Sequence, residues 1–133
     1  MVLYEFEGKK LLQQAGITIP KSQLIDSRTL FKNEDWEILK PFDSAQGGQI
    51  RGVNRVVLKA QVLAGKRADV GGIVMVNEPS AVSSQVSDLF GKTIRGERVE
   101  KVLVEEKIDI QKEFYVSISY DTDYRSPILS ISE

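Results

Sequence analysis

The sequence predicts an α+β fold, a mixed or antiparallel sheet with packed helices, and three observations predict it. Apolar residues at helical spacing open the chain, and a strand, glycine loop, strand unit occupies its middle. Near the end, Phe114, Val116, Ile118 and Tyr120 alternate with Tyr115, Ser117 and Ser119 at the period of a strand. With 133 residues, there is room for one core.

The first helix is predicted over Tyr4 to Ala15, where Tyr4, Leu11, Leu12 and Ala15 share a face and Gly16 stands at the left-handed cap position. Ile17 to Ile25 reads as a short strand with Pro20 near its start. Asp26 or Ser27 can then cap a second helix through about Leu39, with Trp36 packing that helix onto the sheet. Residues 41–54 turn to Gly, Ser, Gln and Asn without apolar periodicity, which predicts a loop insertion. Val56, Val57 and Leu58 make a buried strand running into Lys59, followed by the loop Ala64 to Gly72 and a second strand, Ile73 to Val76. Pro79 and Ser80 open a third helix whose Val82, Val86, Leu89 and Phe90 line one face, and Gly91 closes it. Val99 and Val102 to Val104 lead into Glu105 and Glu106. The alternating segment is expected to be a half-buried strand, joined through a polar turn at Asp121 to Ser126 to a partner at Pro127 to Ser132.

Composition narrows the chemistry. Without a cysteine the chain has no disulfide, thiolate metal site or cysteine nucleophile, and without a histidine it has no Ser-His-Asp triad and carries no phosphohistidine. A formal charge of −1 gives no field for nucleic acid or an anionic membrane. No apolar run approaches the roughly 18 to 20 residues that span a bilayer, and the start lacks a signal peptide's pattern, so a cytoplasmic protein is expected.

Lys59 ends an apolar strand and precedes a glycine loop, so its ammonium and nearby backbone N–H groups suit phosphate oxygens. The other reading makes Lys59 a solvated strand-end lysine, and spacing alone leaves both open. Glu105 and Glu113 flank a short connection between strands, where carboxylates suit ribose hydroxyls; alternatively they belong to a solvated patch with Lys101, Lys107 and Lys112. Lys66 and Arg67 reach a triphosphate on one reading and only solubilise the loop on the other.

Taken in order, Leu3-Tyr4-Glu5-Phe6-Glu7-Gly8-Lys9-Lys10-Leu11-Leu12, Gly16-Ile17-Thr18-Ile19-Pro20, Val57 to Arg67 and Val102 to Tyr115 resemble the start of the ATP-grasp subunit of succinyl-CoA synthetase, a family of ADP-forming acid–CoA ligases with ATP-citrate lyase relatives. The resemblance implies the N-terminal portion of an ATP-grasp fold, a partial nucleotide-binding domain over residues 1–133 whose second lobe is incomplete. It also implies ATP or GTP with magnesium, and a reaction joining a carboxylic acid to coenzyme A. Carried over by position, Lys59 meets the phosphates, and Lys66, Arg67 and Ala68 form the phosphate loop. Glu105 sits at base and ribose, Ile108 offers a backbone contact and Glu113 holds the sugar. The family's magnesium ligands are expected beyond Glu133. Its phosphohistidine and coenzyme A site belong to an alpha subunit, the implied partner, and a companion chain is the implied source of the remainder.

Two departures from the family pattern bear on this. Where the family loop reads Ala-Gly-Gly-Arg-Gly-Lys, this chain has Ala64-Gly65-Lys66-Arg67-Ala68-Asp69, with side chains in place of glycines and a carboxylate in place of a lysine. Weaker ATP binding is the expectation. The other departure is length, which predicts minimal catalysis by the chain alone. A nucleotide-binding segment of a succinate–CoA ligase is the leading reading; a noncatalytic nucleotide-binding or assembly module, or a nonfunctional remnant, are its rivals.

Overall fold

The computed structural model describes residues 2–28 and 55–133. Its centre is a four-stranded sheet built from β1 (Ser22–Asp26), β2 (Val56–Ala60), β3 (Ile73–Val76) and a later strand, β6 (Lys101–Glu106). The order across the sheet is β1-β6-β2-β3, and every pairing is antiparallel. The sheet is therefore antiparallel, one of the two arrangements expected. β6 reaches the centre because its run Val102-Leu103-Val104 is apolar on both faces, as a strand covered on both sides requires.

Strand periodicity sorts the side chains. Val56, Leu58 and Ala60 of β2 point to one face, joined there by Val102 and Val104 of β6 through the pairs Leu58↔Val104 and Ala60↔Val102. Against that face lies α2 (Val82–Leu89), which buries Val82, Val86 and Leu89 as its helical spacing predicts. Val62, Val76, Ile94 and Val99 complete the core among the described residues. Each such side chain contributes about 1.5–3 kcal/mol on burial. A 3-10 turn, Pro79–Ala81, precedes α2, and Lys92 carries the chain into a small hairpin of β4 (Thr93–Ile94) and β5 (Glu97–Arg98) that the sequence did not announce. Two-residue strands are too short to show periodicity.

The other face carries Val57 and Lys59 from β2 with Leu103 and Glu105 from β6, and α1 (Glu5–Gln14) lies against it. The sequence places Tyr4, Leu11, Leu12 and Ala15 on one face, yet α1 buries none of its residues completely, and Leu11 and Leu12 remain exposed. Charge holds it instead, through Glu5 and Lys9, while Tyr4 and Phe6 stack with Lys101 Nζ 5.7 and 5.5 Å from their ring centroids. Its end follows the expected design: Gly16, at φ 83°, lets Ile17 N–H reach the Leu12 carbonyl while its own N–H reaches Gln13.

β7 (Tyr115–Asp121) and β8 (Ser126–Ser132) pair as the expected hairpin. They are not half-buried, however. Val116, Ile118, Tyr120, Leu129 and Ile131 are all exposed, Ile118 at 76%. Alternation reports a preference for one covered face, and here neither face of this two-stranded ribbon is covered among the described residues. The first strand is also shorter than expected, beginning at Ser22 rather than Ile17. Asp26 ends β1, and the rest of the second expected helix, Trp36 and the loop over 41–54 fall outside the described residues, apart from Ser27 and Arg28 in a turn.

Candidate functional site

Lys59 and Glu105 come together because of register. Val57 opposes Glu105 and Lys59 opposes Leu103, so the two charged residues are diagonal neighbours on one face, and Lys59 Nζ lies 2.8 Å from Glu105 Oε1. Lys59 Nζ also lies 3.0 Å from Glu5 Oε1. Lys9, one helical turn after Glu5, contributes a second ammonium, 3.0 Å from Glu5 Oε1 and bonded to Glu105 Oε2. The second oxygen of Glu5 accepts a hydrogen bond from Arg67.

Arg67 reaches this cluster from the loop between β2 and β3. It begins a 3-10 turn, Arg67–Val70, and its other guanidinium nitrogen donates to the Ala60 carbonyl at 2.9 Å. The loop can fold back this tightly only because of Gly72, whose N–H reaches the Arg67 carbonyl at 2.7 Å. A Cβ there would lie 2.8 Å from that oxygen and 2.9 Å from Ile94 Cδ1. Gln61, buried at 3%, ties helix to strand: its oxygen accepts from Phe6 N–H and its amide donates to the Lys59 carbonyl.

Among the described residues, three cations and two carboxylates thus share one part-buried cluster, leaving one net positive charge. Burial would push the Glu105 carboxyl up, but the hydrogen bonds from Lys59 and Lys9 outweigh it and hold the group below its ordinary value. For Lys9, burial prevails and lowers the ammonium against the pull of Glu105. Burial lowers Arg67 as well, though a guanidinium keeps its charge.

The solvated readings of Lys59 and Glu105 therefore fail: Glu105 is 5% exposed and the Lys59 side chain 20%. Of the seven sequence-selected residues, Lys59, Arg67 and Glu105 are joined in the cluster. Lys66 and Ala68 are exposed on the loop, with Lys66 in the left-handed region at φ 52°. Ile108 and Glu113 line a different feature, an open groove of about 680 Å³ with Ile110, Lys112, Phe114, Tyr115 and Glu133, none of which belongs to the cluster. Glu5, Lys9 and Gln61 were missed. The available signal was the Glu5–Lys9 spacing of four, which fits an exposed helix pair as readily as a pair facing a sheet.

The profile of the ATP-grasp domain family matches residues 2–133. The chain belongs to the ATP-grasp family. It is 38% identical to the succinate–CoA ligase [ADP-forming] subunit beta of Methanocaldococcus jannaschii, over 99% of this chain and 32% of that protein. Against the protein of the same name from Staphylothermus marinus it is 36% identical, over 99% of this chain and 31% of the other. The expected kinship with the beta subunits of ADP-forming succinate–CoA ligases is thus homology. This ATP-grasp chain spans about a third of the length of these relatives. A solved structure of ATP citrate lyase from Methanothrix soehngenii, in complex with citrate and coenzyme A, shares the fold with a TM-score of 0.67 at 21% identity, covering 98% of this chain and 31% of that one.

Proposed function

We propose that this ATP-grasp chain is the nucleotide-binding segment of an ADP-forming succinate–CoA ligase, acting in the cytoplasm on ATP or GTP with magnesium. The observation that carries the reading is the convergence of Lys59 and Arg67, from a strand end and the glycine-containing loop after it, in a cluster with one net positive charge among the described residues. Two of the three Lys59 N–H donors face carboxylates of the described residues, which leaves a third for a phosphate oxygen. In this reading Lys66, Arg67 and Ala68 form the phosphate loop, and Glu105, Ile108 and Glu113 take the base and sugar.

The cations fit phosphate; magnesium is a different matter. Among the described residues no group of three or more carboxylates or other ligating side chains is placed to hold a metal ion. These residues do not by themselves fit magnesium, and its ligands are proposed to lie in the part of the relatives that this chain does not span. An alpha subunit with the phosphohistidine and coenzyme A site is the further partner proposed. No described helix is long and apolar enough to cross a membrane.

A second reading, a noncatalytic nucleotide-binding module, is favoured by the loop itself, where Lys66 carries a side chain at positive φ and Asp69 adds an exposed carboxylate. One experiment separates the readings. The chain is mixed with a polypeptide covering the part of the relatives it does not span and with an alpha subunit, and ADP formation dependent on coenzyme A is followed. Activity on mixing supports the ligase; nucleotide binding without activity supports the module; no binding at millimolar ATP removes both.

A further inference from the structure

Among the described residues, Glu5 is the one anion that touches all three cations of the cluster. Its Oε1 lies 3.0 Å from both Lys59 and Lys9, and its Oε2 accepts from Arg67. Lys59 and Arg67 come from different elements, and like charges drawn together in a part-buried space repel unless a counter-charge lies between them. Glu105 pairs with Lys59 on the sheet, but the carboxylate that links Lys59 directly to Arg67 is Glu5.

We propose that Glu5 is a positioning residue of the phosphate subsite, gathering the Lys59 ammonium and the Arg67 guanidinium into one pair able to meet neighbouring phosphate oxygens. The proposal rests on the nucleotide reading above. A lysine stem is flexible and a guanidinium planar, so their joint aim depends on an anchor that is itself fixed. Glu5 is such an anchor. It lies in the first turn of α1, its side chain is four-fifths buried, and the next residue, Phe6, is held by Gln61 through a backbone hydrogen bond. A carboxylate that merely plugged the subsite would act in the opposite sense, because its removal would raise the positive charge facing the phosphates.

Calorimetric titration of the full chain with ATP and with adenosine distinguishes these possibilities, comparing wild type with Glu5→Gln and Glu5→Asp. The expected result is an ATP affinity weakened about tenfold in Glu5→Gln, an unchanged adenosine affinity, and tighter ATP binding in Glu5→Asp than in Glu5→Gln. Unchanged or tighter ATP binding in Glu5→Gln would overturn the proposal, as would equal losses for ATP and adenosine, or equal affinities of the two variants. The core lies on the opposite face of the sheet, and the thermal transition of each variant checks that it is folded. Failure of the wild type to bind ATP would instead remove the nucleotide reading, and this proposal with it.

Discussion

Lys59 on β2 and Glu105 on β6 stand diagonally across one antiparallel ladder, their charged atoms 2.8 Å apart on the face opposite the apolar core. The separation is a consequence of strand period. The same alternation that sends Leu58 and Val104 into the core sends Lys59 and Glu105 out of it. A one-residue slip of β2 against β6 would turn Lys59 onto the core face while Glu105 kept its own, so the core that stabilises the sheet also enforces the pair.

Replacing Glu105 by Gln leaves Lys9 and Lys59 to share Glu5 alone, and is expected to cost about 3 kcal/mol, the low end for a broken buried pair because both lysines retain some solvent. Denaturant unfolding at neutral pH measures it. The Glu105 carboxyl is depressed in the folded state, so its contribution is fully present above the ordinary 4.5 and is lost as pH falls through the folded value. Wild-type stability should therefore fall below pH 4.5 more steeply than that of Glu105→Gln.

Gly72→Ala should cost about 1–3 kcal/mol, because the new Cβ meets the Arg67 carbonyl and Ile94, one a backbone atom and the other a core side chain. The backbone must shift under Arg67, and the variant should lose ATP affinity together with stability. A thermal melt indistinguishable from wild type would show that the loop has room to spare.

Lys66→Gly should act in the other direction. At φ 52° a residue with a Cβ is strained by about 1–2 kcal/mol, and the entropy cost of glycine offsets part of that gain. A net stabilisation of up to about 1 kcal/mol is expected, read as a rise in Tm. A fall in Tm would mean that the exposed Lys66 side chain makes a contribution its conformation conceals.

The β7–β8 hairpin predicts a surface effect. Ile118, Tyr124 and Val116 leave a large apolar ribbon in water, so the chain should bind a hydrophobic dye at neutral pH. Ile118→Thr should reduce that signal while changing stability by less than about 0.5 kcal/mol, since the side chain is exposed and threonine also suits a strand. A large loss of stability would mean the hairpin is packed in solution.

Much of this was legible in the residues. Val82, Val86 and Leu89 mark a helix face, Ile73–Val76 a strand, and Gly16 a helix cap, because each rests on local period or local φ. The site was half legible. Lys59, Arg67 and Glu105 stand at strand ends and in a glycine-containing loop, places that local signals mark. Glu5 and Lys9 depend on where α1 lands, and the distance from Glu105 to Lys9 in sequence carries no periodic trace. The burial of β7 was misjudged for a related reason: alternation says which side chains share a face, whereas coverage depends on a partner surface that periodicity does not encode.

On the proposed reading the Lys59 cluster receives nucleotide phosphates. Calorimetric titration of ATP with magnesium into wild type and Lys59→Ala tests it most directly. Wild type should bind, with a loss of about tenfold or more in the variant, the worth of one charge-assisted hydrogen bond. Equal affinity in the two proteins, or no binding to wild type at millimolar ATP, would contradict it.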